Sequence, residues 1–328
     1  MKDLSLSQFT EKIIQEAISN SNKTFIKNNE VLKPYSSTKI RAGIAGGLPF
    51  NSLVSDVSMG CLPKSSACYG MCFAAKSSWQ KGFDFGKKIT NIIDEDLLKK
   101  DLLRLPKNQK YLRCGWNSDP SWNWLLSYKI ANILRKNDLL TIFITKAFTK
   151  VPDILLKYIA LTKAEMRVSL SALDTNAQLE HRLKFIERYR ELGGIIIPIL
   201  LTASFKEDEL ITRQNNIVEW LVQNDFPAAE NSLRFPKDSF MLKFIDHSKV
   251  KTMSDESSLW SGRLYPKKLV FPTTTSIPPE YTGINSSFLS ELDLDYINKL
   301  FIDPVRTHKE VLQSKQSLSS PKMCGVSI

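Results

Sequence analysis

Three of the five cysteines in this 328-residue chain lie within twelve residues, and their side chains are the ones best suited to hold a metal. They are Cys61, Cys68 and Cys72, separated by gaps of six and three residues. No histidine or further cysteine lies nearby in sequence to complete a tetrahedral site. Three thiolates on one loop therefore predict a metal centre with an open coordination position, where chemistry can take place.

The spacing of these cysteines bears on which metal they would bind. Structural zinc is normally closed by four ligands arranged in close pairs, and this loop has neither feature. Iron–sulfur clusters are held by cysteine thiolates, although simple clusters usually take four of them. We therefore favour an iron–sulfur cluster. Zinc binding and a chance grouping of structural cysteines remain as alternatives.

The elements that must position this loop alternate regularly between apolar runs and segments of helical periodicity. Predicted strands cover residues 53–57, 110–115, 139–145, 166–172 and 195–201. Predicted helices cover residues 87–103, 122–135, 152–162, 177–192 and 208–223. Successive strand–helix units indicate a parallel sheet, open or closed into a barrel. Pro198 lies inside a predicted strand, where it removes a ladder hydrogen bond and predicts a strand end or bulge.

Both flanks of this alternation are less regular. A short amphipathic helix is predicted near residues 7–20, with Phe9, Ile13, Ile14 and Ala17 on one face. After Phe226 the alternation stops, and the later segments give weaker signals: short strands at 233–235 and 240–245 and a helix at 288–301. We predict three regions: an N-terminal helix and lead-in (1–50), a barrel with the cysteine loop (51–245) and an irregular C-terminal extension with a mobile tail (246–328).

Polar residues follow several of the predicted strands. In parallel α/β folds ligands gather at the carboxyl ends of the strands, and the cysteine loop follows the first strand. The polar residues at the ends of the next three strands are Asn117, Ser118, Asp119, Lys146, Ser169 and Ser171. Their shared position with the cysteine loop predicts an active site at that edge.

Each of these residues also has a purely structural interpretation. Asp119 precedes Pro120, which is the pattern of a helix N-cap followed by proline at the first helical position. Asp174 or Thr175 can cap the next helix in the same way. Lys146 can be a solvated lysine at a strand exit. The histidines show no metal-ligand spacing.

Composition limits the partners and the compartment. The net charge of +11 and the isoelectric point near 9.3 favour a polyanionic partner such as a nucleic acid, although a basic surface alone has the same composition. No apolar stretch has the length of a transmembrane helix, so no membrane association is expected. Five cysteines do not form a disulfide framework, and no signal peptide is visible, so we expect a cytoplasmic protein.

The cysteine loop and the strand–helix alternation together resemble the radical S-adenosylmethionine superfamily. Most of its members space the cysteines by three and then two residues, so this chain looks closer to a divergent branch associated with phages and plasmids. The matching segments lie within residues 36–205. They are Ser37–Lys39, Cys61–Pro63, Cys68, Cys72–Ala74, Gly115–Asp119, Phe143–Lys146, Arg167–Ser171, Asp174 and His181–Arg182.

The resemblance implies a partial (β/α)6 TIM-like barrel with a 4Fe-4S cluster at its mouth, bound by the three cysteines. The cluster and S-adenosylmethionine would generate a 5′-deoxyadenosyl radical, with electrons from a reductant such as a flavodoxin or ferredoxin. The expected cofactor-binding residues are Asn117, Ser118, Asp119, Lys146, Ser169, Ser171 and Arg182. The substrate is unnamed, and the charge favours a nucleic acid or another anionic molecule.

Two other functions remain open from the sequence. One is a non-enzymatic protein of a phage or plasmid that binds zinc or an iron–sulfur cluster and a nucleic acid. A fourth ligand, from Cys114 or a histidine, would close the site and favour that function. The other is methyl transfer from S-adenosylmethionine without radical chemistry, for which no glycine-rich cofactor loop is present.

Overall fold

The computed structural model describes residues 4–21, 43–44, 53–54, 57–62, 66–72, 74–75, 78, 82–87, 89–91, 94–103, 111–115, 118–226, 228–236, 239–249, 251–252 and 258–260. The α-helices with defined bounds are α1 (Gln8–Asn20), α2 (Glu95–Leu102), α3 (Trp124–Arg135), α4 (Asp153–Leu161), α5 (Asn176–Glu191) and α6 (Asp208–Gln223). The strands are β1 (Gly43–Ile44), β2 (Leu53–Val54), β3 (Ser58–Met59), β4 (Thr90–Asn91), β5 (Tyr111–Cys114), β6 (Leu140–Thr145), β7 (Glu165–Ser171), β8 (Ile195–Ile196), β9 (Ile199–Thr202), β10 (Ala229–Ser232), β11 (Arg234–Pro236), β12 (Lys251–Thr252) and β13 (Ser258–Trp260).

The main sheet is open, and its strands follow one another in chain order. Strands β2, β5, β6, β7, β9 and β10 are parallel neighbours, with β1 added antiparallel at the β2 edge and β8 paired to the start of β7. Helices α3, α4, α5 and α6 connect the strands from β5 to β10. The prediction of an α/β fold with the parallel strands of a partial (β/α)6 barrel is confirmed.

The core lies between the sheet and these helices. Its buried side chains come from one face of each strand, such as Phe143, Met166 and Leu170, and from the apolar stripes of the helices, such as Ile130 and Ile217. Because side chains alternate along a strand, the intervening residues lie on the opposite, inner face of the sheet. That inner face carries the polar residues discussed below.

Several element boundaries differ from the sequence prediction. The helix expected over 87–103 begins at Glu95, where the Asp94 side chain accepts hydrogen bonds from two backbone N–H groups and so fixes the N-terminus. Residues before it form β4, which pairs with β3. The prediction of a strand at 240–245 is wrong, because Phe240–Phe244 is a 3-10 helix. Strand β10 was not predicted, since its sequence lacks an apolar run.

Two other expectations are confirmed. The strand predicted over 195–201 is divided into β8 and β9 around Pro198, as expected for a residue that cannot donate to a ladder. The segment near 233–235 forms β11, although in a small antiparallel sheet with β12 and β13. The predicted helix at 288–301 lies outside the described residues.

Helix α1 packs beside the cysteine loop. Its buried face contains Ile14, Ala17 and Ile18, which share a hydrophobic cluster with Ala67 of that loop. Phe9 was expected on this face but is 74 % exposed. In the described part of the chain, no helix is long and apolar enough to cross a membrane.

Candidate functional site

The cysteine loop is held by hydrogen bonds near both of its described ends, to the segment after β5 and to the residue before the 3-10 helix Phe240–Phe244. Strand β3 leads through Gly60, whose φ of 95° is a conformation that favours glycine, into Cys61. Gly60 forms a parallel bridge with Ser118 and accepts a 2.6 Å hydrogen bond from its hydroxyl group. At the other end, Gly70 accepts a 2.9 Å hydrogen bond from the Ser239 hydroxyl group. The loop therefore lies over the carboxyl end of β5.

The three thiols of the loop are neighbours. Cys68 lies in the 3-10 helix Ala67–Met71, Cys72 follows it, and none of the three cysteines is in a disulfide. Burial raises the pKa of the Cys61 thiol, and the nearby Cys68 and Cys72 sulfurs and the Asp119 carboxylate raise it further. Burial likewise raises the pKa of Cys72 to about 11. Thiols this hard to ionise need a nearby positive charge, such as a metal, to become thiolates.

The other cysteines do not complete this group. Cys114 is 1 % exposed and packs in the main hydrophobic core on the helix side of the sheet. Cys324 lies outside the described residues. Across the described ranges, no group of three or more histidine, cysteine, aspartate and glutamate side chains is arranged to hold a metal ion.

Asp119 is the N-cap predicted from sequence, and it has a second structural role. Its side chain accepts a 2.9 Å hydrogen bond from Ser121 N at the start of the 3-10 helix Pro120–Asn123. It also accepts 2.6 Å hydrogen bonds from the Thr145 hydroxyl group and from Lys146 N. Burial raises the pKa of Asp119, and these hydrogen bonds oppose the increase. Asp119 thus ties the end of β6 to the segment that follows β5.

A buried charge cluster, formed by Lys146, Asp174 and Arg182, lies beside the loop. The Asp174 carboxylate is 3.1 Å from Lys146 Nζ and 2.5 Å from Arg182 Nη1, and it accepts a 2.9 Å hydrogen bond from Ser171 N. Burial alone would raise the pKa of Asp174, but Arg182 and Lys146 outweigh it and hold the pKa below its usual range. Burial raises the pKa of the Cys68 thiol, and the charges of Lys146 and Arg182 oppose this increase. The cluster therefore acts electrostatically on the cysteine loop.

Six of the seven predicted cofactor-binding residues lie in the described part of the chain. Asn117 lies outside the described residues, and Ser118 adjoins the cysteine loop at Gly60. Ser169 and Ser171 are buried on the inner face of β7, and the Ser171 hydroxyl group accepts a 3.1 Å hydrogen bond from Leu173 N. Arg182 is 1 % exposed and donates from Nε to the Lys146 carbonyl group at 2.7 Å. The strand ends thus bring all of the described candidates except Ser169 into contacts around the loop or the charge cluster.

Sequence reasoning missed the roles of two residues here. Asp174 was considered as a helix cap, but Thr175 caps α5 in a capping box with Gln178, which leaves the Asp174 side chain to hold the two cations. Arg213 is 2 % exposed and donates to the carbonyl groups of Leu4 (2.8 Å) and Ala172 (3.0 Å). A charged residue on the apolar stripe of α6 was the available sequence signal.

No protein-family model and no curated protein matches this sequence. Among solved structures, the chain is similar to a cysteine-to-alanine mutant of spore photoproduct lyase with a dinucleoside spore photoproduct. The TM-score is 0.47 at 11 % identity, over 88 % of this chain and 82 % of that chain.

Proposed function

We propose that this protein is a radical S-adenosylmethionine enzyme whose 4Fe-4S cluster is bound by Cys61, Cys68 and Cys72. The observation that carries the proposal is the placement of the cysteine loop. Three half-buried thiols that lie near one another stand over the carboxyl end of a sequentially ordered parallel sheet, next to a buried charge cluster. Parallel α/β sheets and barrels bind their ligands at that edge.

The donor chemistry of the loop fits such a cluster. Thiolates are the usual ligands of iron–sulfur clusters, and a cluster held by three of them leaves one iron for another ligand. The raised thiol pKa values describe the protein without metal; a bound cation would favour the thiolates. When bound, the cluster would supply the electron that cleaves S-adenosylmethionine, and the protein would orient the cofactor and exclude water.

We assign the cofactor site to the residues around the loop. Ser118 and Asp119 lie beside Cys61, and Lys146 and Arg182 lie beside Cys68. Asn117 is included because it immediately precedes Ser118. Ser169 and Ser171 lie further along the sheet, on the inner face of β7, where hydroxyl groups suit a ribose.

Iron content and cofactor cleavage test the proposal. Anaerobically reconstituted protein should be brown, hold about four irons per chain and form 5′-deoxyadenosine from S-adenosylmethionine when reduced. Alanine at Cys61, Cys68 or Cys72 should abolish the colour and the electron paramagnetic resonance signal of the cluster. Cys114→Ala is the matched control and should keep both. Stoichiometric zinc without iron, or a full cluster in the triple variant, would refute the proposal.

The cofactor map has its own test. Ser171→Ala should weaken S-adenosylmethionine binding about threefold to tenfold, the effect of one lost hydrogen bond, with cluster content unchanged. Ser127→Ala is the control, because Ser127 in α3 is equally buried but donates to the carbonyl group of Pro120. Equal binding constants for the two variants would exclude Ser171 from the cofactor site.

A further inference from the structure

Two buried side-chain donors beside the cysteine loop are not satisfied by any oxygen or nitrogen of the protein. They are the indole Nε1 of Trp122 and the hydroxyl group of Ser66, and neither forms a complete hydrogen bond in the part of the chain that the structure describes. A buried polar group without a partner costs free energy, so its presence calls for an explanation. Both donors act on cysteine sulfurs, Trp122 on Cys61 and Ser66 on Cys68.

Ser66 has the position of a helix cap but does not act as one. It is fully buried and directly precedes the 3-10 helix Ala67–Met71. A serine at this position normally accepts a hydrogen bond from a backbone N–H group of the first turn, and the Ser66 side chain accepts none. Its carbonyl group, rather than its hydroxyl group, accepts from Tyr69 N at 3.1 Å. The hydroxyl group is therefore left to act on Cys68, the second residue of that helix.

Trp122 contrasts with another tryptophan two residues later. The Trp122 ring is stacked on Phe148, with 4.7 Å between the ring centroids and 10° between the ring planes. Trp124 is stacked in the same way on another ring, but its Nε1 donates to the Thr149 carbonyl group at 3.1 Å. Trp122 Nε1 is buried without such a carbonyl group, and it acts on the Cys61 sulfur instead.

Thiolates account for these donors better than neutral thiols do. A thiol sulfur is a weak acceptor and leaves a buried donor largely unsatisfied, whereas a thiolate takes part in a charge-assisted hydrogen bond. The Cys72 sulfur follows the same pattern, because the backbone N–H groups of Ala75 and Ala74 act on it. All three sulfurs of the loop thus have hydrogen-bond donors beside them. These surroundings suit sulfurs that carry negative charge.

We propose that Trp122 and Ser66 are positioning residues, which donate hydrogen bonds to the metal-bound thiolates of Cys61 and Cys68 and thereby raise the reduction potential of the cluster. The cluster rests on the proposed function, whereas the donors rest on the loop itself. Hydrogen bonds to the sulfurs are one of the factors that set the potential of an iron–sulfur cluster. They stabilise the reduced state more than the oxidised state, because the reduced cluster carries one more negative charge.

Thermal unfolding of the metal-free chain tests the serine donor without any cofactor. Ser66→Ala removes an unsatisfied buried hydroxyl group, so the Tm should stay the same or rise. Ser127→Ala is the matched control, because Ser127 is equally buried but donates to the Pro120 carbonyl group at 2.8 Å, and its Tm should fall. If the Tm of Ser66→Ala falls as far as that of the control, the hydroxyl group already has a protein partner and is excluded from the proposal.

Redox titration of the reconstituted protein, followed by its electron paramagnetic resonance signal, measures the potential. Trp122→Phe keeps an aromatic ring beside Phe148 and loses only the N–H donor. It should shift the equilibrium about threefold to tenfold toward the oxidised cluster, and tenfold is about 59 mV for a one-electron couple. Ser66→Ala should shift it in the same direction. Trp124→Phe and Ser127→Ala should leave the potential unchanged, since their donors bond to carbonyl groups.

Each result of the titration decides the role of a residue. A donor whose variant keeps the parent potential is excluded, and two unchanged or raised potentials would overturn the proposal. An equal downward shift in the controls would overturn it too, because the effect would then come from general perturbation. If Trp122→Phe does not fold, Ser66→Ala still decides.

Cobalt binding separates this inference from the proposed function. Co²⁺ bound to thiolates gives a charge-transfer absorption band, and it needs neither iron nor S-adenosylmethionine. Trp122→Phe and Ser66→Ala should bind Co²⁺ about tenfold more weakly than the parent, the scale of a lost outer-shell hydrogen bond, and the two controls should bind like the parent. That result in a protein that assembles no iron cluster would refute the proposed function and leave the donors standing. A complete cluster whose potential and Co²⁺ affinity ignore both substitutions would do the reverse, and a loop that binds neither metal would refute both.

Discussion

Asp174 and Glu165 are two buried carboxylates with two cations each, and their pKa values move in opposite directions. Arg182 and Lys146 overcome the effect of burial at Asp174 and hold its pKa low. At Glu165 burial prevails over Arg167 and Arg113, and its pKa rises. The contacts explain the difference. Asp174 meets both cations and a backbone N–H group, whereas Glu165 accepts from Arg167 through one oxygen.

The two carboxylates thus have different surroundings within one strand–turn unit. Asp174 stands just after β7, where its filled set of contacts fixes the strand ends around the cysteine loop. Glu165 stands at the start of β7, where its side chain accepts a hydrogen bond from Arg167 Nε. Four predictions test the contrast, from the largest expected effect to the smallest.

The largest effect is expected for Asp174→Asn. The change leaves Lys146 and Arg182 buried without their counter-charge, and breaking such a pair costs about 3–5 kcal/mol of unfolding free energy. Urea unfolding of the full chain measures this change in unfolding free energy. Asp153→Asn is the control, since it removes a carboxylate from an exposed ion pair with Arg188. A similar effect in both variants would mean that the buried cluster contributes no more than a surface contact.

Asp119→Ala should have the next largest effect, about 3 kcal/mol, because it removes three buried hydrogen bonds rather than one cap interaction. A capping role alone would cost about 1 kcal/mol. Asn123→Ala, which removes the N-cap of α3, namely the hydrogen bond that the Asn123 side chain accepts from Leu126 N, gives the scale of a single cap. Equal losses in the two variants would contradict the second role of Asp119.

The pH dependence of stability should differ in sign between the two carboxylates. Because the pKa of Asp174 is lowered on folding, its stabilisation is present above its unfolded pKa and is lost as the pH falls through the folded value. The loss of unfolding free energy in Asp174→Asn relative to the parent should therefore become smaller at acidic pH. The pKa of Glu165 is raised, so the parent loses stability as the pH rises from the ordinary glutamate range through the folded value. The unfolding free energy of Glu165→Gln should therefore rise relative to that of the parent over that pH range. If unfolding free energy plotted against pH runs parallel for each variant and the parent, the comparison between Asp174 and Glu165 is contradicted.

The smallest effect is expected for Arg188→Ala. Arg188 pairs with Asp153 at 2.6 Å and with Glu191 at 2.9 Å, but its side chain is 42 % exposed. Solvent and salt screen such pairs, so unfolding free energy should be unchanged within experimental error at physiological ionic strength. A clear loss would show that distance, rather than burial, sets the strength of ion pairs here.

The sequence by itself determined the local features of this protein. Alternating apolar runs and helical stripes predicted the parallel strands from β5 to β9 and the helices between them. Asp119 before Pro120 predicted a cap, and Pro198 predicted the break between β8 and β9. Each of these depends on residues within a few positions of one another, where backbone geometry and propensity act directly. The cysteine ligands, the cofactor residues and the three regions stay predictions.

Tertiary structure decided which distant residues meet. Nothing in the spacing of Arg113 and Glu165 indicates that strand register places them in one row across β6. The partners of Asp174 come from the residue after β6 and from α5, and only the packing of those elements shows that its side chain holds two cations instead of capping a helix. Strand β10 forms because β9 offers it a parallel edge, although its own sequence is not strand-like. Register, burial and charge compensation arise from contacts between separate elements, so local sequence patterns do not specify them.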